Sequence, residues 1–454
     1  MPGNLTFDAL RAAVASGEID TVLAAQVDMQ GRLMGKRFHA AFFVESAWHE
    51  THGCNYLLAT DLEMGTVDGY ASTSWSAGYG DYLIKPDLST LRRIPWLDGT
   101  ALVICDTYDH HGHHMIPHAP RSILHGQVAR LAAKGWTATT ATELEYFLFH
   151  DSYDAAHSAG YRGLKPISAY NEDYHIFQTT KEEGVMRAIR NGLYGAGVPI
   201  EGTKGEADAG QGEINFRYGA ALNTADDHTI IKNGAKEIAW AKGQAMTFMA
   251  KWADGAAGNS AHVHMSMVGE SGPVFYDPDA AHGMSDVMRK FLAGLLHHAP
   301  ELTCFFAPYV NSYKRFVAGT FAPTKIVWSR DNRTAGYRIC GEGTKGVRIE
   351  CRVPGGDMNP YLAQAAMIAA GLSGIDNDMV LPPEHHGDAY GAEKVPEIPG
   401  NLRDAADALD ASAMLRAAFG DAVIDHYVHA ARHEAAEADR AVTDWDLRRG
   451  FERA

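Results

Sequence analysis

Glu143 and Glu145 sit two residues apart in Ala141-Thr142-Glu143-Leu144-Glu145-Tyr146-Phe147-Leu148-Phe149, a short aromatic and apolar run. Such a run reads as a strand, where residues two apart point to the same face. Two like charges among apolar neighbours are costly unless something positive lies between them, and a divalent cation is the simplest answer. Four further segments carry residue types that would complete such a site. Glu206-Ala207-Asp208-Ala209-Gly210-Gln211-Gly212-Glu213 is a glycine-containing loop with an acid at each end. In Gly258-Asn259-Ser260-Ala261-His262-Val263-His264-Met265-Ser266, His262, His264 and Ser266 fall on one strand face. Asn311-Ser312-Tyr313-Lys314-Arg315 is followed by Asn332-Arg333 and Arg338. In Lys345-Gly346-Val347-Arg348-Ile349-Glu350-Cys351-Arg352, residues Arg348, Glu350 and Arg352 alternate onto one face.

Singly, each segment has an ordinary reading, because acids on strands usually face solvent and paired histidines are often core or surface residues. Together they supply hard oxygen ligands for magnesium or manganese, several arginines and a lysine. That combination suits phosphoryl transfer, whose barrier falls through positioning and charge neutralisation. A dinuclear zinc hydrolase would use more histidine and aspartate and fewer arginines. The chain has no Walker loop and no dinucleotide-binding glycine fingerprint, so an ATP site here is not a P-loop.

The elements that must hold these residues make an α+β chain. Thr6 is placed to cap a helix running to Ser16, and strands are expected at 21–28 and 32–38 around the turn Met29-Gln30-Gly31. Residues 44–95 read as loop with short strands, and a strand follows at 101–106. The cluster Asp109-His110-His111-Gly112-His113-His114 reads as a solvated turn rather than a metal site. A domain boundary is expected at Pro117–Pro120, dividing the chain into 1–116 and 117–454. Beyond it lie a helix from Pro120 to Ala133, helices at 182–196, 224–245, 285–298 and 360–372, and strands at 213–217, 262–267 and 347–353. The tail from Leu402 to Arg453 is alanine-rich and helical. The 454 residues are 46% hydrophobic and 21% charged, an ordinary globular composition. A net charge of −16 argues against a nucleic-acid or anionic-membrane partner. Five widely spaced cysteines without a CxxC, no signal-peptide pattern and no long apolar run point to a reducing cytoplasm.

In this order, the five chemical segments resemble the glutamine synthetase family. That family carries Glu-x-Glu-Phe/Tyr-Phe on a strand, Glu-x-x-x-Gly-Gln-x-Glu and a His-x-His-x-Ser strand. It also carries Asn-Ser-Tyr-Lys-Arg followed by Asn-Arg, and Arg-x-Glu-x-Arg. Lys85-Pro86-Asp87-Leu88-Ser89-Thr90 and Pro95-Trp96 match as well, so the resemblance covers nearly the whole chain. It implies a small N-terminal β-grasp-like domain and a large catalytic domain built on a curved antiparallel sheet flanked by helices. It also implies ATP and two or three Mg2+ or Mn2+ ions, and a dodecamer of two stacked hexameric rings. Glu145, Glu206 and Glu213 would hold one metal, and Glu143, His262 and Glu350 the other. His264, Ser266, Arg338 and Lys345 would contact ATP. Arg315, Arg333 and Arg352 would hold glutamate and the transferring phosphoryl group, with Gly258 and Tyr174 among the substrate contacts.

The chain departs from that family where the nucleophile is chosen. The family places a glutamate six residues after the Asn-Ser-Tyr-Lys-Arg arginine, in a polar pocket for ammonium; here that position is Phe321. The family's Asp-Gly-Ser-Ser loop survives as Asp68-Gly69-Tyr70-Ala71, and its Asn-Gly-Ser-Gly is Ala257-Gly258-Asn259-Ser260. A benzyl ring cannot accept a proton, but it can line a slot for an alkyl group or face a cation. The expected activity is therefore a glutamate–amine ligase acting through γ-glutamyl phosphate on a small alkylamine or ethanolamine. Asp68 or Glu206 would take the amine's proton. True glutamine synthetase, a γ-glutamylpolyamine synthetase and a non-catalytic member of the fold are the competing expectations.

Overall fold

In this computed structural model, which describes residues 1–110 and 114–454, regular hydrophobic alternation produces two separate sheets. Part of the histidine cluster, His111 and His113, lies outside the described residues. The smaller sheet contains β1 (Thr21–Val27), β2 (Leu33–His39), β3 (Thr51–Cys54), β4 (Asp81–Pro86), β5 (Arg92–Arg93) and β6 (Thr100–Tyr108). Its order is β2-β1-β6-β4-β3, with β5 also on β6. The β1–β6 pair is parallel and the other pairs are antiparallel. Thr6 caps the helix Phe7–Ala15 by accepting from Ala9 N, and Leu10 and Ala13 turn inward.

The larger sheet is centred on β7 (Trp136–Phe149), a strand of 14 residues. It continues through β8 (Ile200–Gly205), β9 (Gln211–Phe216), β10 (Gly219–Ala220), β11 (Ala245–Thr247), β12 (Ala261–Gly269) and β13 (Gly272–Pro273). It is completed by β14 (Trp328–Arg330), β15 (Tyr337–Cys340) and β16 (Arg348–Cys351). The order is β14-β15-β16-β12-β7-β9-β8, with β10 and β11 on β7 and β13 on β12. The sheet is antiparallel except for β14–β15, which run parallel. In β7, Ala138, Thr140, Thr142, Leu144, Tyr146 and Leu148 are buried towards the helices. That leaves Glu143 and Glu145 on the opposite face.

Behind the sheet pack helices Pro120–Ala132, Ala221–Ala241, Asp286–Phe306 and Pro360–Asp376. The last is apolar nearly all round and buried nearly all round, as a central core helix must be. Its cap, Asn359, accepts from Tyr361 N and donates to the carbonyls of Asp28 and Met29, fixing the β1–β2 turn to the core. Three helices differ from the sequence expectation, helix 360–376 by running four residues past 372. Helix 286–306 runs eight residues beyond 298, through Pro300, because Leu302, Phe305 and Phe306 are buried on the same side. Helix 221–241 stops short of 245, since Gly243 (φ +72°) breaks it and Ala245–Thr247 pairs with β7 instead. Among the described residues no helix is long and apolar enough to cross a membrane.

Candidate active site

Cross-strand register assembles the site. On one side of β7, Glu145 lies directly opposite Glu213 of β9; on the other, Glu143 lies opposite His262 of β12. His264 in turn faces Glu350 of β16, and Glu350 faces Arg338 of β15. Directly opposed residues have side chains close enough to share one ligand. The result is two groups whose donor atoms lie within 4.8 Å of one another: Glu145, Glu206 and Glu213, and Glu143, His262 and Glu350. Glu206 joins the first from the loop after β8. The two groups meet because Glu143 and Glu145 share a face of the same strand.

These groups differ in charge. Burial and then the neighbouring carboxylate of Glu206 push Glu145 up to about 7. Burial and then Glu143, Glu145 and Glu206 push Glu213 up to about 9. Glu145 and Glu213 are thereby pushed towards their protonated forms at neutral pH, unless a cation takes the place of the protons. An all-carboxylate oxygen set suits a hard divalent ion such as Mg2+ or Mn2+, so the residues present fit such an ion. In the second group burial also disfavours charge on Glu143, but the hydrogen bonds of His262 and His264 outweigh it and hold Glu143 well below the usual carboxylate range. His262 Nδ1 is 3.0 Å and His264 Nε2 2.9 Å from its oxygens. Burial and Arg352 lower His262 to about 4, so its imidazole is neutral and able to ligate. Burial opposes ionisation of Glu350 too, yet His262 and Arg352 hold it at about 2.

Two cavities meet at these acids. The smaller, about 170 Å³, is lined by Glu145, Glu206, Glu213 and His262 together with Tyr174, Gly258, Arg315, Phe321, Arg333, Arg338 and Arg352. The larger, about 760 Å³, is lined by His264, Ser266, Lys345 and Arg348 and is large enough for a nucleotide. Glu143 and Lys204 line both. Arg315 and Arg352 are 3% and 4% exposed, and each keeps a buried Nε–H without a partner. A buried guanidinium with an unused donor is an anion-binding group. Burial lowers Arg315 to about 10, which leaves it charged at neutral pH. The Arg315 stem lies against Gly258, where an added Cβ would come 2.2 Å from Arg315 Cγ, so only glycine fits.

Several expected residues are placed in unexpected detail. Phe321 is not a core residue: it is 58% exposed at the cavity rim, with φ +57°, and its carbonyl accepts from Arg352 Nη2 at 3.3 Å. Tyr174 is likewise exposed at the rim with φ +56°. Non-glycine residues in this left-handed region are strained, and such strain gathers at functional sites. Arg333 is exposed at the mouth. Arg338 lines the smaller cavity rather than the larger one, 2.8 Å from Glu350 Oε2. Ser266 Oγ donates to the Val347 carbonyl. Asp68 is not brought to the cavity of its own chain; it is exposed on the 59–70 loop, where its carbonyl lies 2.8 Å from His429 Nε2.

The profile of the glutamine synthetase catalytic domain matches residues 117–450. The chain belongs to the glutamine synthetase family. It is an enzyme of the ligase class within that family. It is 49% identical over 99% of its length to the gamma-glutamylethanolamide synthetase GlnA4 of Streptomyces coelicolor, covering 96% of that protein. It is 34% identical over 97% of its length to a glutamate–isopropylamine ligase of a Pseudomonas species, again covering 96%. Among solved structures, apo GmaS superposes with a TM-score of 0.85 at 28% identity, covering 97% of this chain and 99% of that one. A GmaS/ADP complex matches equally well.

Within this glutamine synthetase framework, some site residues carried no sequence signal of their own. Lys204 pairs with Glu206 and stands 4.5 Å over the Tyr174 ring. Gln211, visible only as part of a motif, donates to the Gly258 carbonyl at 3.0 Å and so ties β9 to the loop under Arg315. The backbone N–H of Ser260 donates to Glu145 Oε2 at 2.7 Å and orients that ligand. Cys340 lies 3.3 Å from Glu350 Oε2, and with His264 and Glu350 forms a third group of donor atoms within 4.8 Å of one another.

Proposed function

We propose that the protein uses ATP to join the γ-carboxylate of L-glutamate to an amine, making a γ-glutamylamide, with a small alkylamine or ethanolamine preferred to ammonia. The observation that carries this reading is the smaller cavity itself. Carboxylate ligands, two buried arginines with unused Nε–H donors and two rim rings converge on it, and no carboxylate stands at position 321. The likeness to gamma-glutamylethanolamide synthetase and to glutamate–isopropylamine ligase supports the same reading.

Glu145, Glu206 and Glu213 would hold one Mg2+ or Mn2+ ion, and Glu143, His262 and Glu350 another. Ions bound there supply charge neutralisation for the phosphates of ATP. His264, Ser266 and Lys345 bind the nucleotide from the wall of the larger cavity, with Arg338 reaching in from the smaller one. Arg315 and Arg352 fix the glutamate anion through their free donors, beside Gly258. Arg333 and Arg352 face the transferring phosphoryl group and stabilise the acyl phosphate that forms at the γ-carboxylate. The amine attacks that carbonyl carbon from the rim, with its carbon portion against Phe321 and Tyr174, and phosphate leaves. Glu206, or Asp68 brought from the N-terminal region of a neighbouring copy, accepts the amine's proton. This last role goes with a dodecamer of stacked hexameric rings in the cytoplasm. A division of the chain at residues 116–117 is supported by its two separate sheets and by the start of the family match at 117.

The test is an amine panel with glutamate and ATP, read as phosphate release and by mass spectrometry of the product. Ethanolamine or a small alkylamine should give the highest kcat/KM. Ammonium giving the highest value would make the protein a plain glutamine synthetase. No amine-dependent ATP turnover would remove the ligase reading altogether.

A further inference from the structure

Lys204 touches the carboxylate group without belonging to any expected motif. It projects from β8, directly opposite Glu213 in the β8–β9 register. Its Nζ is bonded to Glu206 and lies 3.7 Å from Asp173 and 4.5 Å from the centre of the Tyr174 ring. The side chain is 21% exposed, and it borders both cavities. An alkyl stem ending in an ammonium group, seated between carboxylates and an aromatic face, is itself a copy of an alkylammonium substrate.

Charge bookkeeping gives this placement a consequence. Glu145, Glu206 and Glu213 carry three negative charges when ionised. A divalent ion cancels two of them, and the residual charge would draw free ammonium into the pocket. The Lys204 ammonium cancels that residue. Of the other acids nearby, Glu143 is engaged by His262 and His264, and Asp173 is 42% exposed and screened by solvent. Amines distinguished by their carbon then have the advantage, since their binding draws on apolar contact rather than on net charge.

Resting on the amine-ligase reading above, we propose that Lys204 is a specificity-determining residue: a resident ammonium group that fills the negative field beside Glu206, disfavours free ammonium, and leaves amine choice to the rings of Tyr174 and Phe321.

The experiment compares wild type, Lys204→Met, Lys204→Gln and Lys204→Arg, with kcat/KM measured for ammonium chloride and for ethanolamine. Removing the charge should raise the ammonium-to-ethanolamine ratio about tenfold in both neutral variants, whereas Lys204→Arg should keep the wild-type ratio. A purely structural role would lower both values together and leave the ratio unchanged, which would overturn the proposal. A change in KM for ATP with an unchanged ratio would overturn it equally, placing Lys204 on the phosphoryl side. An activity-independent readout is Mn2+ binding to metal-free protein: the neutral variants should bind more tightly because no ammonium competes for Glu206, and unchanged affinity would contradict the proposed field. Wild type that favours ammonium would refute the amine-ligase reading itself. An amine-selective wild type with an unmoved ratio would refute only the role of Lys204.

Discussion

Arg121 and the group Glu145, Glu206 and Glu213 are both centres of buried acidity, yet they resolve it in opposite ways. Arg121, 3% exposed, holds three acids at once: Asp106 at 2.6 Å, Asp87 at 2.8 Å and Asp226 at 3.1 Å. These come from β6, from the turn after β4 and from helix 221–241, so one guanidinium joins the smaller sheet to the core. Arg92 lies 2.9 Å from Asp227, where burial outweighs the single arginine and raises Asp227 to about 6. Around Arg121 the charges are answered by the chain itself, and burial of Asp87 is outweighed by Ser89 and Arg121, which lower its pKa. Around Glu145 and Glu213, Lys204 and Arg315 do not offset burial and the neighbouring carboxylates, and these two acids are pushed upward instead. Buried acids that the fold pairs completely serve structure; buried acids that it leaves short of cations wait for a ligand.

The comparison breaks first at Arg121. Arg121→Ala leaves three acids facing an uncompensated interior and should destabilise the protein by about 3–5 kcal/mol, read by urea unfolding. Mn2+ affinity of the folded fraction should stay near wild type; a substitution that left stability unchanged would remove the structural half of the contrast. Glu213→Gln should behave in reverse. Ligase activity should fall about a hundredfold or more and Mn2+ binding should weaken, while the metal-free protein unfolds at the same or higher urea concentration, because a repelling acid is gone. At the rim, Phe321→Glu restores a carboxylate and should move the ammonium-to-alkylamine kcat/KM ratio about tenfold toward ammonium with stability unchanged. An unmoved ratio would mean that the amine does not sit against this ring.

The smallest effect is on pH dependence. Glu145 and Glu213 hold their protons to about 7 and about 9 in the fold, against an ordinary value of 4.5. Between these limits the metal-free fold binds more protons than the unfolded chain, so its stability falls as pH rises. Asp87 has the opposite sign: its lowered pKa contributes stability above its ordinary value of 3.8 that is lost as pH falls. Saturating Mg2+ should flatten the alkaline slope and leave the acid one. Unfolding curves from pH 2 to 9, with and without Mg2+, check both.

Which parts of this contrast could be read in the sequence follows from how local each signal is. Strand alternation places Glu143 beside Glu145, and His262 beside His264, within a few residues, so the ligands were legible before any pairing was known. The Arg121 hub was not, because Asp87, Asp106 and Asp226 converge on it only after the smaller sheet and two helices have packed. Lys204 was equally hidden: a lysine on a short strand reads as solvated until its partner across the register is known. The helix expected to end at 298 continues through Pro300 because the missing N–H matters less than the buried face that runs on to Phe306. Asp68 was expected at the site, but the fold leaves it exposed on the 59–70 loop, outside the cavity of its own chain.

The account turns on the claim that the Glu145, Glu206 and Glu213 carboxylates are an ion site left short of positive charge. Calorimetry of Mn2+ binding to metal-free protein at pH 7, in two buffers of different ionisation enthalpy, tests it directly. One ion should bind for each carboxylate group, with net proton release as the Glu145 group fills, and Glu213→Gln should remove that ion and its protons. Binding without proton release, or binding that Glu213→Gln leaves intact, would contradict the claim.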